Sequence, residues 1–313
     1  MIMQNNRIIV IGSYLVALVM DTERIPLQGE TLLARNFRQT HGGKGSNQAV
    51  QAARLGAPTS FIGFVGNDSY GRGFTALCKE ENIDVSKIKT SAKLPTGAGF
   101  IICSANGQNI ITIDIGANLD LNSNAIDQLT TDIHPGDMVL IQLEIPLDAA
   151  LHAAKAAKNS GATVILNPAP AANLANHDLS FIDFITPNET EARICGGCDL
   201  KGSISDEEAA QKLYGLGCKN VIVTQGDQGC LILNEKGFST EPAFSFPEII
   251  DSTGAGDAFN AALAVALLEG KSLSDACKFS NAAAGLACTK ADTIPSYHFR
   301  NEVDNFMIKN NKQ

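Results

Sequence analysis

Residues 251–270 read DSTGAGDAFNAALAVALLEG. A Gly-Ala-Gly turn, Gly254, Ala255 and Gly256, precedes a carboxylate, Asp257, and the apolar run beyond it has the length and composition of a buried helix. The first N–H groups of a helix lack intrahelical partners and, together with the helix dipole, attract anions. An acid set among them meets the needs of phosphoryl transfer to a hydroxyl: the backbone donors hold the moving phosphoryl group while the carboxylate accepts the hydroxyl proton. A plainer reading has Asp257 complementing the helix dipole while Asp251 or Ser252 caps the turn.

Outward from this turn, the apolar runs RIIVIG, SFIGFVG, DMVLIQL, TVILNPA, FIDFITPN and NVIVTQG alternate with helical patterns. Continuous apolar strands between helices signal an α/β fold with a doubly wound, mostly parallel sheet flanked by helices on both faces. Two stretches, residues 14–38 and 96–114, hold strand-like pieces with Gly and Pro punctuation and no helix between them. They are expected to pair as a small separate β-sheet. Ligands of doubly wound folds sit beyond the carboxyl ends of the strands, so this sheet is placed to act as a lid. No repeat, low-complexity tract or linker divides residues 1–313, which read as a single domain, and residues 309–313 read as a frayed tail.

The formal charge of −9 and a pI near 5.1 argue against nucleic acid or an anionic membrane as the main partner and favour a small-molecule ligand. No apolar run of membrane-spanning length is free of charges, and the start, MIMQNNRIIVIG, lacks the pattern of a signal peptide, so a cytoplasmic location is expected. Eight scattered cysteines read as buried thiols. The one CxxC, Cys195 to Cys198, has neither the second pair nor the histidines of a zinc site, and it follows a helix where a redox motif would open one.

Other strings carry two readings each. HGGKGSNQA has neither the spacing of a P-loop nor that of a dinucleotide-binding turn. Its glycines, Gly42, Gly43 and Gly45, open a helix bearing Asn47, which suits close approach to a polar ligand or simply a tight turn. In TPNETEARI, Asn188 and Glu191 stand three apart at a strand-to-helix junction. That spacing serves a hydrated magnesium ion or a capping box. VTQGDQGCLIL, with Gly226 and Gly229, is a nucleotide shelf or an ordinary hairpin, and Glu144 before Pro146 is a polyol contact or a solvated strand end.

In their order along the chain, VIGS, GGKGSNQAVQAARLGA, VGNDSYG, QLEIPL, LNPAPA, TPNETEA, DSTGAGDAFNAAL and NAAAGLACTK resemble the ribokinase family of carbohydrate kinases, also called PfkB-type, over nearly the whole sequence. The resemblance implies transfer of the γ-phosphoryl group of ATP to a pentose hydroxyl, with ribose as the first expectation, magnesium as cofactor, potassium as activator and a homodimer formed through the lid. It implies that Asp257 is the base and Gly254, Ala255 and Gly256 the anion hole. Gly43, Lys44, Gly45, Asn47 and Glu144 match the sugar side. Asn188, Thr224, Gly226, Asp227, Gly229 and Asn281 match the nucleotide side, with Asn188 and Glu191 positioning magnesium through water. Asp251, Thr253, Ala287, Lys290, Asp292 and Ser296 match the monovalent-cation loop, although position 292 is usually glycine. One departure concerns the acceptor: Leu15 and Ala17 stand where the family carries an asparagine and an aspartate that bind sugar hydroxyls. It keeps open a deoxyribose, nucleoside or other modified-sugar kinase, or a binding protein without turnover.

Overall fold

The computed structural model describes residues 6–106, 108–199 and 204–310. Its strands are β1 (Ile8–Ile11), β2 (Leu15–Thr22), β3 (Arg35–Gly42), β4 (Thr59–Val65), β5 (Ile83–Asp84), β6 (Ile88–Thr90) and β7 (Gly97–Ser104). Then come β8 (Asn109–Asp114), β9 (Met138–Gln142), β10 (Thr163–Asn167), β11 (Phe184–Ile185), β12 (Asn220–Thr224), β13 (Cys230–Asn234) and β14 (Gly237–Glu241). The larger sheet runs β14-β13-β12-β11-β10-β9-β1-β4-β5, with β6 also on β4. Pairing is parallel from β5 to β12, and β13 and β14 add an antiparallel edge.

The helices are α1 (Lys44–Arg54), α2 (Ser69–Glu80), α3 (Ser123–Leu129), α4 (Leu147–Asn159), α5 (Glu189–Cys195), α6 (Asp206–Gly215), α7 (Ala255–Leu268), α8 (Leu273–Ala287) and α9 (Arg300–Asn310). The central strand β1, IIVI, shows why its sequence is apolar throughout: side chains alternate across a strand, and both faces here are covered. Ile8 and Val10 join a core with residues of α1, α7 and α8, whereas Ile9 and Ile11 join one with α3, α4, α5 and α6.

Past Gly12 and Ser13 the chain leaves this sheet and starts the second one, ordered β3-β2-β7-β8, in which β2 and β7 are parallel. The two stretches expected to pair do pair, and β3 runs on to Gly42, past the expected end at residue 38. It does so because Gly42 pairs with Leu15 and carries the strand directly into α1. The expected tail differs as well: residues 309 and 310 continue α9, while residues 311–313, like Gly107 of the second stretch, lie outside the described residues. Cys195 ends α5, as the spacing implied. Among the described residues no helix is long and apolar enough to cross a membrane.

Candidate active site

The first turn of α7 is built around Gly254, whose φ of 81° lies in the left-handed region. A Cβ there would also stand 2.7 Å from the Tyr297 hydroxyl, which donates a 3.1 Å hydrogen bond to the Gly254 carbonyl. The Ala255 N–H closes the turn on the Ser252 carbonyl at 3.2 Å, so it is less available to an anion than expected. The Gly256 and Asp257 N–H groups make no hydrogen bond to the described protein. Asp257 is buried, and α1 supplies a donor to each of its oxygens: Asn47 Nδ2 to Oδ2 at 2.9 Å and Gln48 Nε2 to Oδ1 at 3.0 Å.

This turn is the wall between two cavities. Gly254 and Asp257 line one of about 420 Å³, and Ala255 and Gly256 line the other, of about 700 Å³. Both open at the carboxyl ends of the strands, where ligands of doubly wound sheets bind.

The smaller cavity has a polar floor and a mainly aliphatic roof. Gly43, Lys44, Asn47 and Glu144 line the floor. Glu144 Oε2 accepts from the Ser13 hydroxyl at 2.5 Å and the Lys44 N–H at 2.7 Å, and burial pushes its carboxyl above the usual range. Burial pulls the Lys44 ammonium down, but the carboxylates of Asp257, Glu144 and Glu191 outweigh it and hold the group above the usual lysine range. Asn47 Oδ1 is buried and has no partner among the described residues. Gly45, expected on the sugar side, does not line the cavity. Its role is close packing: a Cβ there would lie 2.6 Å from the Ser13 nitrogen and 2.7 Å from the Ser13 oxygen. The roof is the underside of the small sheet, mainly aliphatic with Leu15, Ala17 and Val19 of β2, Ile101 of β7, and Ile111 and Ile113 of β8, but with Arg38 and Thr40 of β3 and Asn109 of β8 as polar members. Leu15 and Ala17 therefore stand where the missing polar contacts were expected.

In the larger cavity Thr224, Gly226, Asp227, Gly229 and Asn281 all appear. The Asn281 amide nitrogen is committed to the carbonyls of Glu241 and Pro242, both at 3.1 Å, so it fixes the loop after β14. Asn188 pairs by a bridge with Thr224 at the cavity edge. Its side chain accepts from the Glu191 N–H at 2.8 Å, and Glu191 Oε2 accepts from the Asn188 N–H at 2.9 Å, a complete capping box. Glu191 Oε1 stays outside that cap, and burial raises its carboxyl. Among the described residues no group of three or more His, Cys, Asp and Glu is placed to hold a metal.

Three of the expected cation-loop residues meet directly. Asp251 Oδ1 accepts from the Thr253 N–H at 2.9 Å and Oδ2 from the Asp292 N–H at 3.1 Å. Asp292 adopts φ 64°, the glycine-like conformation the usual residue would supply, and its carboxylate lies 3.4 Å from Arg38 of β3. Ala287 ends α8, Lys290 follows it, and Ser296 is buried in the short turn Ile294–Ser296.

Several contributors had no motif to announce them. Tyr297 reaches the site through tertiary packing alone, Ser13 closes the VIGS string with no role read from it, and Phe244, Phe246 and Ile249 give the larger cavity an apolar side suited to a flat ring. Gln48 follows Asn47 directly, and its place in a glycine-led helix start was the available signal.

A wall of backbone donors and one carboxylate between two cavities defines a phosphotransferase-type site. The pfkB family carbohydrate kinase model matches residues 5–300. The ribokinase of Haemophilus influenzae is 40% identical over 279 residues, covering 89% of this chain and 91% of that one. The deoxyribokinase of Salmonella typhi is 34% identical over 293 residues, covering 93% and 95%. The structure of Arabidopsis thaliana ribokinase complexed with ribose and ATP superposes with a TM-score of 0.82 at 31% identity, covering 96% of this chain and 99% of that one. The chain belongs to the pfkB family of carbohydrate kinases and is a sugar kinase of ribokinase type.

Proposed function

We propose that the protein transfers the γ-phosphoryl group of ATP to a pentose hydroxyl, with ribose converted to ribose 5-phosphate. The observation that carries this reading is the shared wall: Asp257 faces the smaller cavity and the free Gly256 N–H the larger one. The acceptor hydroxyl gives its proton to Asp257, its oxygen bonds to the γ-phosphorus, and the bond from that phosphorus to the bridging oxygen of ADP breaks. The N–H groups of the α7 turn stabilise the charge on the moving phosphoryl group. Asn47 and Lys44 orient the acceptor. Thr224, Gly226, Asp227, Gly229 and Asn281 take the nucleotide, as the ATP and ribose of the Arabidopsis complex support.

Oxygen donors at Asn188 and Glu191 fit magnesium held through water, since the capping box leaves Glu191 Oε1 outward. Bound there, magnesium would neutralise phosphate charge. The turn gathered around Asp251, with Thr253, Ala287, Lys290, Asp292 and Ser296, fits a potassium ion held largely by backbone carbonyls. In this reading residues 1–313 form one cytoplasmic unit in which the small sheet closes as a lid. It also joins two copies in a homodimer, because its outer face exposes Phe37, Phe100 and Ile110.

A second acceptor, 2-deoxyribose or a nucleoside, is favoured by one observation: Leu15 and Ala17 offer nothing to a hydroxyl turned toward β2. ADP release from ATP with magnesium and potassium, measured across ribose, 2-deoxyribose, other pentoses, hexoses and nucleosides, separates the two. Ribose as the best substrate supports the first reading, a deoxysugar or nucleoside the second, and silence across the panel refutes both.

A further inference from the structure

Behind the acceptor cavity lies a set of buried amides that the proposed reaction does not use directly. Gln48 and Gln142 are both fully buried, and neither lines either of the two cavities described. Gln48 Nε2 donates to Asp257 Oδ1 at 3.0 Å and to Asn167 Oδ1 at 3.2 Å. Its Oε1 accepts from Gln142 Nε2 at 2.6 Å. Every hydrogen of the Gln48 amide is therefore engaged, and its orientation has one solution. Turned over, its oxygen would face both the Asp257 carboxylate and Asn167 Oδ1, two buried repulsions that fix its orientation, and Gln142, whose Oε1 has no partner among the described residues, follows it.

The consequence for Asp257 is geometric. Asn47 and Gln48 are neighbours on one helix, so their side chains leave it about 100° apart and reach the carboxylate from different sides. Oδ2 is the oxygen bonded to Asn47, a residue of the acceptor floor, and on that ground the one assigned to receive the proton. Oδ1 is the oxygen that must stay fixed while that happens. The same network continues away from Gln48: Asn167 Nδ2 donates to the Thr186 carbonyl at 3.2 Å, the Thr186 hydroxyl to Asn260 Oδ1 at 2.5 Å, and Asn260 Nδ2 to the Gly256 carbonyl at 2.8 Å. It joins the carboxylate to the anion-binding turn through these side chains and the backbone carbonyls of Thr186 and Gly256.

We infer that Gln48 is a positioning residue: locked by Gln142 and Asn167, it holds Asp257 Oδ1 so that Oδ2 meets the acceptor hydroxyl. This rests on Asp257 as the proton acceptor. The test is a double-mutant cycle on the full-length protein with Gln48→Met, which keeps length and removes the donor, Asp257→Asn, and the pair together. The readouts are kcat and KM with ribose, or with 2-deoxyribose if that is the better acceptor, and ADP affinity by calorimetry.

Gln48→Met is expected to lower kcat about 10- to 100-fold, the effect of one hydrogen bond to a charged group, while KM and ADP affinity stay within threefold. The pair is expected to be no slower than Asp257→Asn alone, because Gln48 then has no carboxylate to hold. Full kcat in Gln48→Met, or losses that multiply in the pair, would overturn the inference while leaving the base intact. Full kcat in Asp257→Asn would overturn the base itself and the inference with it. Should Gln48→Met fail to fold, Gln142→Met tests the same lock from behind. It is expected to cost kcat about 3- to 10-fold with the same unchanged KM, and an unaltered kcat there would overturn the lock.

Discussion

Replacing Asp257 by asparagine changes a carboxylate that accepts two amide hydrogen bonds, 2.9 Å from Asn47 and 3.0 Å from Gln48, into a group with one acceptor and one donor. Turned one way, its NH2 meets that of Gln48; turned the other, it faces Asn47, whose amide must turn over to offer its unpartnered Oδ1, and in either case the charge-assisted character of both bonds is lost. Such a loss costs about 2–3 kcal/mol of stability. At roughly 2–4 °C per kcal/mol for a chain of this size class, the melting temperature should fall by about 5–10 °C. Turnover falls much further, by about 10²–10⁴, the usual contribution of a positioned base. Nucleotide affinity should be nearly unchanged, because Asp257 faces the other cavity. Steady-state rates by coupled ADP detection, with ADP titrated calorimetrically into the same preparation, give both numbers. A kcat within threefold of the parent would refute the role of Asp257, and a parallel loss of ADP affinity would show that the carboxylate serves binding instead.

Leu15→Asn with Ala17→Asp is expected to lower KM for ribose about tenfold, the scale of a restored bond to a charged group, at a stability cost of about 1.5–3 kcal/mol for the buried Leu15 side chain. An unchanged KM in initial-rate assays would mean that the sugar turns no hydroxyl toward β2. Gly45→Ala pushes a methyl against the Ser13 backbone, which cannot yield as a side chain end can, so urea denaturation should show a loss of more than about 3 kcal/mol or no folded protein at all. Wild-type stability would contradict the close approach of α1 to the Gly12–Ser13 backbone that follows β1. Burial pushes the Cys195 and Cys218 thiols up to about 12, so iodoacetamide at pH 8 should leave both unlabelled while the partly exposed Cys288 reacts slowly and is protected by ADP. Peptide mass mapping checks this, and labelling of Cys195 ahead of Cys288 would contradict it.

Much of the architecture was legible because the physics that sets it is local. The IIVI of β1 has to be covered on both sides, and a Gly-Ala-Gly turn before an apolar helix leaves first-turn N–H groups without intrahelical partners wherever it is placed. The two readings of Asn188 and Glu191 were not alternatives in space: the capping box forms, and one Glu191 oxygen still remains outside it. Gly45 looked like ligand-facing glycine because sequence shows that backbone can approach closely, not which backbone approaches. Here it is Ser13, one strand away. Gln48 was silent for a related reason. Its place after Asn47 gives no hint of burial, and only the packing of α1 against β9 and α7 buries it against Gln142, Asn167 and Asp257. The mainly aliphatic underside of the small sheet alternates like a core face, yet what it covers is a cavity.

The most direct test of phosphoryl transfer to a sugar is the product itself. With ribose, ATP, magnesium and potassium, ³¹P NMR should show a new phosphomonoester resonance, split by the two protons of a primary carbon, growing in step with ADP. Inorganic phosphate appearing with ADP in its place, or no loss of ATP with any pentose or nucleoside, would contradict it.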